Sequence, residues 1–152
     1  MRTIANLREK IIQFKAQIDV GLEGIAIEMA ESAKTLSQRN IQGHGVEGAA
    51  YTQGVHSYAE KKRKAGKQAA YVDLTYTGEM WANIGVLRTV RVEEHKVVAL
   101  LGGKTQSASD KMGWNEERYS NFIENNLSDD DKRIINNIAN RRIRTLIKTV
   151  GL

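Results

Sequence analysis

The chain has 152 residues, 41% of them hydrophobic and 27% charged, with a formal net charge of +5. That length supports one domain with a real core rather than two. The absence of cysteine excludes disulfides, thiol catalysis and cysteine-ligated metals, and no apolar run approaches the ~18 residues of a membrane span.

The opening segment MRTIANLREKIIQFKAQIDV mixes charges among its apolar positions and lacks the apolar block of a secretory signal, so the protein is expected to stay where it is made. Ile4, Leu7, Ile11, Phe14, Ile18, Leu22, Ile25, Met29, Ala33 and Leu36 recur every three or four residues. That period predicts one amphipathic helix over about residues 3–38. At 1.5 Å per residue it spans roughly 50 Å, more than a small domain needs to cover its own core, so part of the stripe is expected to meet another chain. Gly21 and Gly24 inside it read either as tolerated surface residues or as points of close approach by a neighbour.

From residue 37 to 54 the pattern dissolves into GHGVEGAAYTQG, which reads as a long loop. Ser57 can cap a following helix, YAEKKRKAGKQAA, carrying Lys61, Lys62, Arg63 and Lys64. The stretch YVDLTYTGEMWANIGV comes next. In it, Thr77 can cap a short helix, Gly78 permits a tight entry, and Glu79 suits the first turn. Met80, Trp81 and Ile84 then fall at helical spacing against the core, with Trp81 as a core residue or an interface hot spot. Asp73 reads as a turn or cap hydrogen-bonder, and Tyr76, like Trp81, is expected to pack.

VLRTVRV and KVVALLG, separated by Glu93, Glu94 and His95, predict an antiparallel hairpin. GGKTQSASDKMGW reads as a loop and NFIEN as a short strand. Ser128 with Asp131 approximates a capping box for a last helix with an apolar face of Ile134, Ile135, Ile138, Ile143, Leu146 and Ile147. The sum is an α+β domain: 1–40 long helix, 41–70 loop and basic helix, 71–127 a short antiparallel sheet built around the hairpin, 128–152 C-terminal helix.

The chemical motifs that tempt are incomplete. LLGGKT lacks the first glycine of a P-loop, since Val98 stands at that position. His44, His56 and His95 are scattered, Glu116 and Glu117 are chain neighbours whose side chains diverge, and no serine sits in a strand–elbow–helix setting. No enzyme, metal or cofactor is therefore expected. The Lys61, Lys62, Arg63, Lys64 run reads as a solvated helix face, or as a contact for nucleic acid or an acidic protein.

The order GVHSYAEKKRKAGKQAAYVDLTYTGEMWANIGV resembles the virion-morphogenesis proteins of tailed phages, of the head–tail joining or tail-completion type. Val72, Asp73, Leu74, Thr75, Thr77, Gly78 and Met80 fall on the family's central motif. The block WNEERYSNFIENNLSDDDKRIINNI is similar to its closing motif at Asn115, Glu116, Phe122, Leu127, Ser128 and Asp131, but has Ser120 and Asn121 where the family commonly has arginine–proline. The resemblance implies a non-enzymatic virion protein, assembled in the host cytoplasm into a homo-oligomeric ring at the neck. Portal-side and tail-tube proteins would be its neighbours, and non-specific contact with packaged DNA would be available to it. The first helix, loop 41–54 and loop 102–114 are the expected contact elements. The alternative is a small basic nucleic-acid-binding module using Lys61, Lys62, Arg63, Lys64 and the arginines of the last helix.

Overall fold

A computed structural model describes residues 4–150 except 52, 76 and 95, with side chains from Arg8 onward. The expectations for Tyr76, for His95 in the hairpin turn and for the side chains of Ile4 and Leu7 lie outside the described residues. The molecule is α+β as expected: a long first helix, a two-stranded antiparallel sheet and a C-terminal helix.

Helix α1, Ile4–His44, runs for 41 residues and is the spine against which the hairpin and the last helix pack. It extends past the expected end because Ser37 and Ile41, both fully buried, continue its inner face into the core. It stops at Gly45, whose φ of +88° is left-handed and whose N–H closes on the Ile41 carbonyl at 2.9 Å. A Cβ on Gly45 would lie 2.9 Å from that of Tyr71, so only glycine fits. Residues 37–44 of the expected loop are thus helix. The remainder, with a 3₁₀ turn at Val46–Gly48, is tied to the Tyr71–Val72 backbone: Val46 N–H donates to Val72 O (2.8 Å) and Val72 N–H to Ala49 O (2.7 Å).

Helices α2 (Tyr58–Lys64) and α3 (Glu79–Ala82) precede strands β1 (Ile84–Glu93) and β2 (Lys96–Gly103). The strands pair from Ile84↔Gly103 to Glu93↔Lys96, with register shifts between Val86 and Arg88 and between Arg91 and Glu93. Two expectations fail next. The segment read as a loop is helix α4, Gln106–Tyr119, capped by Thr105, whose hydroxyl accepts from Ala108 N–H at 3.2 Å. Ala108 is fully buried, and the helix backbone there lies against Gly103. The segment read as a strand is a single helical turn, α5 (Phe122–Asn125). Positive φ at Ser120 and Asn121 turns the chain so that Phe122 enters the core.

Helix α6, Asp129–Val150, begins with the expected capping box. Asp131 N–H donates to the Ser128 hydroxyl at 3.1 Å, and Ser128 N–H donates back to the Asp131 carboxylate at 3.0 Å. The same carboxylate accepts from Asn40 (2.7 Å) and Arg39 (2.8 Å), which fixes the start of α6 to the C-terminal end of α1. Further along, Arg142 donates to Glu28 at 2.6 Å, so the two helices run antiparallel.

The main core gathers at one end of the spine. Ile41, Val46, Val72, Met80, Trp81, Ile84 and Phe122 form one cluster, with Trp81 and Phe122 edge to face at 5.9 Å. Toward the other end, the tip of the hairpin lies along α1 through Arg91–Asp19 (3.0 Å) and Lys15–Glu94 (3.2 Å), and residues 8–13 of α1 are exposed throughout.

Candidate functional site

The stretch that carries the phage resemblance is organised around one buried ion pair. Lys62 has no exposed surface, and its ammonium lies 2.5 Å from a carboxylate oxygen of Asp73. The same oxygen accepts from the Tyr51 hydroxyl (3.0 Å) and from Thr75 N–H (3.0 Å), while the other accepts from the Gln68 amide (3.1 Å). Lys62 also donates to the Thr75 carbonyl at 2.8 Å and sits 5.1 Å from the Tyr51 ring centroid. Burial, and then the Asp73 carboxylate beside it, hold the Tyr51 phenol well above the usual tyrosine range. Every partner is a donor aimed at a charge or an acceptor of one, which is what a buried ion pair requires.

This arrangement corrects one expectation. Lys61, Lys62, Arg63 and Lys64 do not present a common basic face. Within α2, Ala59 and Lys62 lie one turn apart and both point inward, because Asp73 waits beneath the helix. Arg63 is paired with Glu60 and Gln53, and Lys64 lies 3.7 Å from Glu60. Lys61 is exposed.

The other motif residues behave as turn and core elements. Asp73 is the expected turn hydrogen-bonder, accepting from Thr75 N–H across Leu74, which is held at φ +51°. The Thr75 hydroxyl donates to the Asp73 carbonyl at 3.0 Å. Thr77 accepts from Glu79 N–H at 3.3 Å, while Gly78, left-handed at φ +80°, occupies the cap position itself. Met80 and Trp81 are buried. Trp81 is therefore a core residue here, with an indole N–H that finds no acceptor among the described residues.

Above the ion pair opens a cleft of about 670 Å³ between the 50–58 segment, the Val72–Glu79 turn and α4. Tyr51 and Tyr58, with ring centroids 5.3 Å apart, form one wall, and Trp114 and Tyr119 contribute from α4. Trp114 is 66% exposed. Lys111 and Arg118 stand at the rim; Lys111 is paired with Glu79 at 2.5 Å, and that hydrogen bond holds the Glu79 carboxyl below its usual range. Such a cleft can receive an apolar or aromatic side chain of a partner. Sequence reading missed its α4 wall. Lys111, Trp114, Asn115 and Arg118 do fall at i, i+3, i+4 and i+7, a helical signal masked by the glycine and serine residues around them.

A second surface is the outward face of the hairpin. The inward residues Val86, Thr89, Val97, Ala99 and Leu101 are half-buried, whereas Val90, Val98 and Leu100 on the opposite face and Leu87 and Val92 at the register shifts are exposed. Among the described residues no three His, Asp or Glu side chains converge as a metal site, and no helix is long and apolar enough to cross a membrane. Comparison with protein-family models, with curated proteins and with solved structures found no match to the chain.

Proposed function

We propose that this protein is a structural component of a tailed-phage virion, assembling as a ring at the neck between the portal and the tail, where it joins or completes that junction. Among the residues that resemble the head–tail joining family, Asp73 holds Lys62 of α2, Thr77 and Gly78 start α3, and Val72 and Met80 enter the core.

The observation that carries the reading is the uncovered apolar surface at the end of α1 remote from the core. Val92 at the hairpin tip is 54% exposed, and Ile11 and Ile12 58% each. An isolated two-stranded hairpin with open edges is marginal by itself, and exposed apolar surface of this kind marks a protein interface. A neighbouring copy supplies the missing cover, and a ring needs one patch to meet a different patch on the next copy. The Trp114 cleft, at the core end, is such a second patch.

Light scattering and negative-stain imaging of the protein, with and without its portal-side and tail-side neighbours, test this. Closed rings are expected, lost when Ile11 and Val92 are both replaced by lysine. A chain that stays monomeric in every mixture overturns the reading.

A further inference from the structure

The net charge of the molecule is not spread evenly. After Asp131 the chain contains no acidic residue and six basic ones: Lys132, Arg133, Arg141, Arg142, Arg144 and Lys148. The preceding 131 residues hold the other 17 basic residues against all 18 acidic ones, a formal −1. The whole positive excess therefore resides in α6 beyond its acidic first turn.

The fold then sorts these charges by face. Asp131 and Ile135 are buried and Leu146 is half-buried on the side that packs on α1, where Arg142 is tied to Glu28. On the opposite side Arg133, Asn137, Arg141, Arg144 and Lys148 follow one another at steps of four, four, three and four residues, and all are exposed. They make a single stripe roughly 22 Å long at 1.5 Å per residue. Arg133 is shared with Asp130 at 2.9 Å. Among the described residues Arg141, Arg144 and Lys148 make no ion pair.

We propose that this stripe is a duplex-DNA contact surface that grips the phosphate backbone without reading sequence. A row of cations one helical turn apart suits a polyanion carrying a charge every ~1.7 Å of its axis. α6 contains no aromatic residue, so it offers nothing for the bases of a single strand to stack on. Ile135, Ile138 and Leu146 face α1, and the exposed Ile134, Ile143 and Ile147 are split between the two flanks of the stripe, so α6 offers no continuous apolar face with which to lie in a membrane as a basic amphipathic helix does. The inference goes beyond the neck reading and stands separately from it; in a ring, this would be the face turned toward DNA in transit.

The test is a fluorescence anisotropy titration of the full chain against a random-sequence 30-bp duplex between 50 and 200 mM salt, with the protein's mass measured in parallel. Three phosphate contacts per chain predict a weakening of about 40-fold across that range. R141Q/R144Q/K148Q is expected to remove most of that salt dependence and at least tenfold of the affinity at 50 mM, with an unchanged melting temperature. R141K/R144K keeps both, and K61Q/R63Q/K64Q changes neither. A triple glutamine variant that binds with the wild-type salt slope overturns the proposal. So does a wild-type chain that ignores duplex DNA at 50 mM salt, or one that prefers phosphatidylserine vesicles or a single strand. Because mass is read in the same samples, a chain that fails to form rings yet binds DNA through α6 counts against the neck reading alone.

Discussion

At the scale of single residues, the decisive side chain is Lys62. A lysine with no exposed surface is tolerated only because Asp73, Tyr51 and the Thr75 carbonyl surround its ammonium. Asp73→Ala leaves that charge buried and unanswered, and is expected to cost about 3–5 kcal/mol in denaturant unfolding. Lys62→Met with Asp73→Leu, which removes both charges, should recover most of the loss; additive costs for the two sites would show that the pair is not coupled. Asp131 sets the pH response of the α1–α6 junction. The hydrogen bond from the Ser128 hydroxyl, then those from Asn40 and the Ser128 backbone, hold its carboxyl below the ordinary aspartate value of 3.8. A carboxyl lowered in the folded state contributes its stability above that ordinary value and loses it as the pH falls through the lowered one. Asp131→Asn should therefore cost about 1–3 kcal/mol at neutral pH, a gap that closes in acid; a gap independent of pH in thermal melts would contradict this.

At the scale of elements, what the sequence disclosed depended on how local the cause was. The two long helices, the capping box and the hairpin were legible because period and caps are written in contiguous residues. The turn from Asp73 to Gly78 was legible for the same reason. Helix α4 was not, because Gly103, Ser107, Ser109 and Gly113 dilute its pattern and it is held by Ala108 packing on a strand end. The inward turn of Lys62 was equally hidden, since its partner lies eleven residues away across a loop. The meeting of α4 with β2 gives a sharp test. A Cβ on Gly103 would lie 2.2 Å from Ser109 N and 2.5 Å from Ala108 C, backbone atoms that cannot swing aside. Gly103→Ala is expected to cost about 3 kcal/mol in chemical denaturation. Gly24→Ala, in a helix interior where a Cβ meets nothing within 4 Å, should instead stabilise by up to ~1 kcal/mol. Equal effects at the two glycines would mean that the packing of α4 on β2 is not the constraint. Gly21 lies between these cases, since only the Leu146 side chain opposes it, at 2.6 Å.

At the scale of the whole molecule, folding and assembly are allotted to different ends. The core surrounds the C-terminal third of α1, whereas residues 8–13 lie exposed at the other end. Deleting residues 1–13 is therefore expected to shift the melting temperature by only about 2 °C while abolishing ring formation. A large loss of thermal stability in the truncated monomer would show that the segment belongs to the fold instead. The two tryptophans lie in opposite circumstances, Trp81 at 2% exposure beside Phe122 and Trp114 at 66% on the cleft wall. The protein thus carries two built-in optical probes with separate duties. Emission from Trp81 reports whether the chain is folded, and quenching of Trp114 by a dissolved agent such as acrylamide reports whether the cleft is occupied. With each tryptophan replaced in turn by phenylalanine, the two signals can be followed independently, so assembly can be timed against folding without attaching a dye.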